Sequence, residues 1–261
     1  MKYLKLFYAL FRHSLKRYLE DRTGVVGFTF FTTINFFLQI YIVSILFTNT
    51  QSLAGWSKEE VFLLVGILRL MTTFFSLFFQ RSINHLVGEV KMGNLDIILT
   101  KPISSQFYYS FFLMRAFEIV NLSVPLIFIW YALSMLSVSY FWFHLFLMTI
   151  LIGCGVVIFY SIYISVASLV FRFGRFDSFP SIFNILTIPL IAPTDVYGYS
   201  ANLVLTFLLP LAFVATIPAK IMVDKSSPLL TLLGIVIAGI CLYIASHIWN
   251  RSIRHYSSAS S

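Results

Sequence analysis

The feature that most constrains this chain is a stretch of 23 residues, Val25 to Phe47, without one charged side chain. A helix rises 1.5 Å per residue, so about 20 apolar residues carry it across the hydrocarbon core of a bilayer. Comparable runs recur along the sequence, separated by short polar stretches. The apolar share is 59% and the charged share 11%, against about 45–50% and roughly 25% for a soluble domain. Lipid offers no hydrogen bonds, so backbone crossing it must be helical or closed into a barrel. Runs of this length select helices. The chain therefore reads as an all-α integral membrane protein, one domain over residues 1–261.

Residues 1–22 alternate charge with apolar side chains at helical spacing: Leu4, Phe7, Phe11, Leu15 and Tyr18 fall on one face, Lys5, Arg12 and Lys16 on another. This predicts an amphipathic helix lying in the membrane interface. Membrane spans are expected at 25–47, 61–79, 107–136, 143–171, 179–193 and 229–249, with Gly153 and Gly155 allowing close helix contact in the fourth. The segment 203–223 is long enough to cross but carries Pro210 and Pro218. The positive-inside rule decides its course. If it dips in from outside and returns, 13 of the 18 Lys and Arg lie inside, three (Lys58, Lys220 and Lys225) lie outside, and Arg69 and Arg115 sit in spans. That gives six spans, both termini cytoplasmic, and an external re-entrant segment capping the bundle through Pro210 and Pro218.

The loop 81–106 is the informative one. Ile83, Leu86, Val87 and Val90 stand at i, i+3, i+4 and i+7, which predicts a short helix resting its apolar face on the membrane or a partner, with Asn84, Glu89 and Lys91 facing water. Gly93 supplies a stop, Asn94-Leu95-Asp96 can cap a second piece from Ile97 to Leu99, and Pro102 ends it. The segment Glu89-Val-Lys-Met-Gly93-Asn-Leu95-Asp96-Ile-Ile-Leu99-Thr-Lys-Pro102 resembles the cytoplasmic motif of ABC type-2 permeases, in the bacterial branch of six-span subunits without an ATPase domain. The basic N-terminal helix, the interrupted fifth span and the run from Leu209-Pro210 to Pro218-Ala219 agree with it. The resemblance implies a bacterial inner-membrane exporter, and the sparse charge in the spans suggests an amphipathic or lipid-like substrate. The resemblance also implies partnership with two ATP-binding cassette ATPase subunits and a second, identical or homologous permease, among membrane lipids. Glu89, Gly93, Leu95, Asp96, Leu99 and Pro102 would then couple to the ATPase, with ATP and Mg held on that partner.

No cofactor, metal or catalytic site is expected in the chain itself. Gly88 to Gly93 has the glycine spacing of a phosphate loop, but Asn94 and Leu95 stand where Lys and Ser or Thr are needed. Cys154 and Cys241 lie in apolar runs without partners at metal-ligand spacing. The five histidines form no zinc-protease pair, and Gly198-Tyr-Ser200 is followed by Ala201 rather than a serine-protease setting. An intramembrane enzyme, a channel or a scramblase is the reading from another class. Apart from Arg69 and Arg115 the basic residues sit in loops and termini rather than in a continuous patch with nucleic-acid motifs, so nucleic acid is not an expected partner. An ABC importer is closer, but Val90 and Lys91 occupy the positions of its alanine pair. Arg115 and Glu118, three residues apart, would share a helical face as a salt bridge, a gate or a contact to substrate headgroups. Arg69 has no acid in its own span and looks to Glu118 or to snorkelling. Asn35, Asn121 and Asn184 are expected as interhelical hydrogen-bond glue.

Overall fold

A computed structural model describes the chain except for residues 1, 21, 93, 94, 96–99, 101, 175 and 256–261. The described residues are helical almost throughout and contain no strand. Four helical stretches are long and apolar enough to cross a membrane: Thr23–Leu46, Lys58–Val90, Phe141–Phe173 and Leu229–His255, with shorter apolar helices at Glu118–Ser134 and Ser181–Leu190.

The N-terminal helix α1 (Lys2–Glu20) is followed by α2 (Arg22–Leu46). Helix α3 (Lys58–Phe75) starts at a full capping box, Ser57 accepting from the Glu60 N–H while Glu60 accepts from the Ser57 N–H, which satisfies two otherwise orphaned donors. It does not stop where the second span was expected to end. A π-turn at Ser76–Gln80 leads directly into α4 (Arg81–Met92). The result is one continuous helical rod. Its 33 residues from Lys58 to Val90 reach about 50 Å at 1.5 Å per residue, more than the roughly 30 Å hydrocarbon core of a bilayer. The apolar face expected on the loop helix is real, but Ile83, Leu86, Val87 and Val90 are buried in the chain's own core rather than turned to a membrane or partner. Asn84 accepts a hydrogen bond from the Tyr163 hydroxyl at 2.6 Å.

The segment expected as a third span, 107–136, is broken. Helix α5 (Ser105–Phe111) ends, residues 112–117 turn without regular helix, and α6 (Glu118–Asn121) and α7 (Ser123–Ser134) resume it. Backbone groups freed and buried by such a break need partners, and three neighbouring elements provide them. The Arg115 N–H donates to the Leu77 carbonyl in the π-turn at 2.8 Å, where the helical ladder is out of register. The Leu113 N–H donates to Ser82 Oγ at 2.8 Å. From α1, the buried Ser14 hydroxyl donates to the Met114 carbonyl and accepts from the Ala116 N–H. One face of α1, through Phe7, Ser14 and Tyr18, is thus packed on the break and on α5. Leu4, Tyr8, Leu15 and Leu19 stay exposed.

Helix α8 (Phe141–Ala167) is the centre of the second half, continued by α9 (Val170–Phe173). Phe75, Phe159, Tyr163 and Phe179 form a buried ring cluster that joins α8 to the rod, with centroids 4.8 to 5.2 Å apart for Phe75–Phe159, Phe75–Tyr163 and Tyr163–Phe179. Beyond α10 (Ser181–Thr187) the chain is punctuated at Pro189, Pro193 and Pro210. It passes through α11 (Gly198–Leu203), a π-turn at Val204–Leu208 and a 3-10 turn at Leu211–Val214 to α12 (Thr216–Met222). The segment expected to be re-entrant therefore divides at Leu209-Pro210. The part from Tyr199 to Leu209 is largely exposed, whereas Leu211 to Met222 is buried almost completely against α8. The last helix, α13 (Leu229–Ser252), lies along α8. Gly155 makes the approach of α8 possible: a Cβ there would stand 2.9 Å from the Phe213 carbonyl oxygen and from Val214 Cα. Gly153, expected to help, has nothing within 4 Å. Burial differs sharply among the long helices, at 72% for the rod's most apolar window and 11% for that of α2. The rod is core and α2 is wall.

Candidate translocation cavity

The polar residues of the rod are spaced for one face. Arg69, Thr72, Thr73, Ser76 and Gln80 recur every three or four residues and all line a cavity of about 400 Å³. Phe28 and Thr32 of α2 close it on one side, Asn184 and Thr187 of α10 on another, and Arg115 and Glu118 enter from the break between α5 and α7. Of these, sequence reasoning singled out the three charged residues and Asn184. Thr72, Thr73 and Ser76 were missed, although polar side chains at i+3, i+4 and i+7 from Arg69 are a readable signal.

Arg115 and Glu118 do come together, but not as neighbours on one helical face, because Arg115 lies in the break. Arg115 Nη1 donates to Ser76 Oγ at 3.2 Å, and the Ser76 hydroxyl donates to Glu118 Oε1 at 2.9 Å. The second carboxylate oxygen accepts from Asn121 Nδ2 at 2.7 Å. Glu118 is 3% exposed and fully engaged by neutral donors. Arg115 also lies over the Phe28 ring at 4.9 Å, a contact that desolvation strengthens. Arg69 donates to the Thr32 carbonyl at 3.0 Å and lies 5.7 Å from the Phe36 ring centroid. Two of the three asparagines expected as glue act locally: Asn35 bonds the Phe31 carbonyl of its own helix and Asn121 bonds Glu118, while Asn184 lines the cavity.

The expected coupling residues are spread. Glu89 is half-buried on α4, 3.6 Å from the His85 ring nitrogen; Leu95 is buried and Pro102 exposed. Gly93, Asp96 and Leu99 lie outside the described residues. Of the re-entrant residues, Pro210 marks the division described above and Pro218 is buried in α12. Among the described residues no group of three His, Cys, Asp or Glu is placed to hold a metal.

At the Lys58 end of the rod a second polar cluster ties the loops together. Asp195 accepts from Lys220 Nζ at 2.7 Å, Trp56 Nε1 at 2.9 Å and Asn202 Nδ2 at 3.2 Å. Lys225 pairs with Glu60 and donates to the Gly55 carbonyl at 2.7 Å. Burial pushes the Asp195 carboxyl up, but the Lys220 hydrogen bond, the Trp56 and Asn202 bonds and the Lys220 charge outweigh it and hold the group below its ordinary value. A depressed carboxyl contributes stability that is complete above its unfolded pKa, near 4, and is lost as pH falls through the folded value. Asp195→Asn is therefore expected to cost about 1–3 kcal/mol at neutral pH. The gap between variant and wild type should begin to narrow below about pH 4 and close only as pH passes the lower folded value. Thermal unfolding followed by tryptophan fluorescence checks both; a gap unchanged by acid would place the effect elsewhere.

The described helices, four of them long and apolar enough to cross a membrane, surround a polar cavity lined by two arginines. The chain matches the family of ABC-2 family transporter proteins over residues 33–260 and belongs to that family. It is a membrane permease component of an ATP-binding cassette transporter, a kind of subunit that works with an ATP-binding cassette partner. No curated protein and no solved structure matches it.

Proposed function

We propose that the chain is the non-catalytic export permease of a bacterial inner-membrane transporter, moving an amphipathic or lipid-like substrate by alternating access. Two separate ATPase subunits, holding ATP and Mg, would drive it, and a second identical or homologous permease would complete the path. The observation that carries this reading is the rod: one continuous helix lines the cavity with Arg69 to Gln80 and ends at Glu89 to Met92, beside the Glu89–Pro102 loop. A push on that loop is transmitted to the cavity wall without an intervening hinge loop. Export rather than import is supported by Val90 and Lys91, which depart from the importer loop. Six spans with a re-entrant 203–223 are supported by the burial of Leu211 to Met222, since non-spanning backbone at membrane depth needs protein around it. Both termini then lie in the cytoplasm, and the exposed apolar flank of α1 rests in the interface.

Co-purification tests the coupling. Glu89→Arg reverses a charge on the docking surface, and Gly93→Val places a branched side chain where a glycine stop is expected. Both variants should insert in the membrane at wild-type levels, while ATPase recovered with the chain falls by about tenfold, the effect of losing roughly 1.4 kcal/mol. Undiminished recovery and transport in both would remove the loop from the coupling path.

A further inference from the structure

Arginine is the side chain best matched to an oxyanion, because its five N–H donors form a fixed fork that meets two oxygens at once. Arg69 and Arg115 line the same cavity, and neither directs its fork at a carboxylate. Arg69 bonds a backbone carbonyl and Arg115 a serine hydroxyl, while Glu118 is satisfied by Ser76 and Asn121. The charged residues lining the cavity are two arginines and one glutamate, an excess of one positive charge (2 − 1). Uncompensated charge at membrane depth is costly and marks a substrate or ion path. A guest with one negative charge would neutralise it. The volume of about 400 Å³ falls within the range of small-molecule sites and suits a headgroup. Phe28, Phe183 and Ile191 supply an apolar margin for the start of a tail.

We propose that this cavity binds the oxyanion headgroup of a singly negative amphiphile, a phosphodiester or carboxylate, with Arg69 and Arg115 as its donors and Glu118 as the resident counter-charge. The proposal rests on the transport reading above and names its substrate class. In the absence of the guest, Glu118 offsets one of the two positive charges; with the guest bound, the cavity is neutral.

The test uses the full chain in phosphatidylcholine nanodiscs, with binding read by calorimetry. The probes are short-chain phosphatidylglycerol, decanoate, inorganic phosphate and decyltrimethylammonium. Saturable binding of either or both anionic amphiphiles, and none of the cation, is expected; which of the two binds assigns the headgroup chemistry. Arg69→Gln and Arg115→Gln should each abolish it with helical content unchanged. Glu118→Gln removes the internal competitor and should tighten binding about tenfold, whereas Asn184→Asp, adding a charge to the same wall, should weaken it about tenfold. These two opposite shifts decide the matter even if an arginine variant does not fold. Equal affinity in both, or preference for the cation, overturns the proposal. Inorganic phosphate binding as tightly as the amphiphiles would assign the cavity to a free oxyanion and overturn the headgroup assignment. Failure here with ATPase co-purification intact would remove the substrate class alone and leave the transport reading standing.

Discussion

Gly155→Val is expected to leave almost no folded protein in the membrane. The Cβ of any substituent at this position meets backbone, not a side chain that can swing away: the Phe213 carbonyl oxygen and Val214 Cα at 2.9 Å, then the Val214 carbonyl oxygen at 3.4 Å. Relief requires moving the buried stretch Leu211 to Met222 off α8. That stretch also holds Phe213 against the Cβ position of Gly234, at 3.1 Å from the ring, so α13 would have to follow. Overpacking of an ordinary core costs about 1–3 kcal/mol and sometimes more; with backbone as the obstacle the upper end or beyond is expected. Gly153 is the internal control. It lies two residues away on the same helix, exposed, with nothing within 4 Å, and Gly153→Ala should stabilise by up to about 1 kcal/mol through helix propensity. Size-exclusion profiles of detergent-extracted fusions give the yields. If both positions tolerate substitution equally, the close packing of Leu211 to Met222 on α8 is wrong.

The second large effect lies at Glu118. Alanine there strips the cavity of its one acid and leaves Arg69 and Arg115 without a counter-charge, a loss of the kind that costs about 3–5 kcal/mol when a buried charge is left without its counterpart. Glu118→Gln removes the same charge but fills the site, its amide oxygen accepting from Ser76 and its NH2 donating to Asn121 once that amide turns, and should cost less than alanine. In a cycle, Arg115→Ala with Glu118→Ala should be less damaging than the sum of the single changes, because the double variant leaves only one charge unpaired. Repeating the cycle on Ser76→Ala separates a relayed interaction from a direct one. The coupling should shrink when the hydroxyl between Arg115 and Glu118 is gone. Thermal stability in detergent is the measurement, and strict additivity would mean that the two charges act independently.

Much of the bundle was legible from its uncharged runs, since lipid permits few solutions for them. The runs at 25–47 and 229–249 emerge as long helices close to the expected limits. The break at residues 112–117 was not legible. Phe-Leu-Met-Arg-Ala-Phe contains no proline or glycine and favours helix locally. It opens because its partners, Leu77, Ser82 and Ser14, sit far away in sequence. The i,i+3 arithmetic that joined Arg115 to Glu118 presumed an unbroken helix, and so brought them together by the wrong route. The periodicity of Ile83 to Val90 correctly gave a buried face, but periodicity cannot say what buries it. The charged residues of the cavity were visible because charge in an apolar run is rare. Thr72, Thr73 and Ser76 were not singled out because hydroxyls in such runs usually bond their own helix.

The π-turn at Ser76–Gln80 sets the phase of the rod. Successive residues of an α-helix are rotated by about 100°, and a π-turn accommodates one residue beyond that repeat. Upstream of it the helix presents Arg69, Thr72 and Thr73 to the cavity; downstream it presents Ile83 and Leu86 to the core. Shortening the turn by one residue would make the backbone more regular, yet it would swing the downstream face through about 100°, turning Ile83 and Leu86 away from their pocket and withdrawing the Leu77 carbonyl from Arg115. The irregularity works as an angular offset between two halves of one shaft, and each half is seated correctly only while the other keeps its bearing.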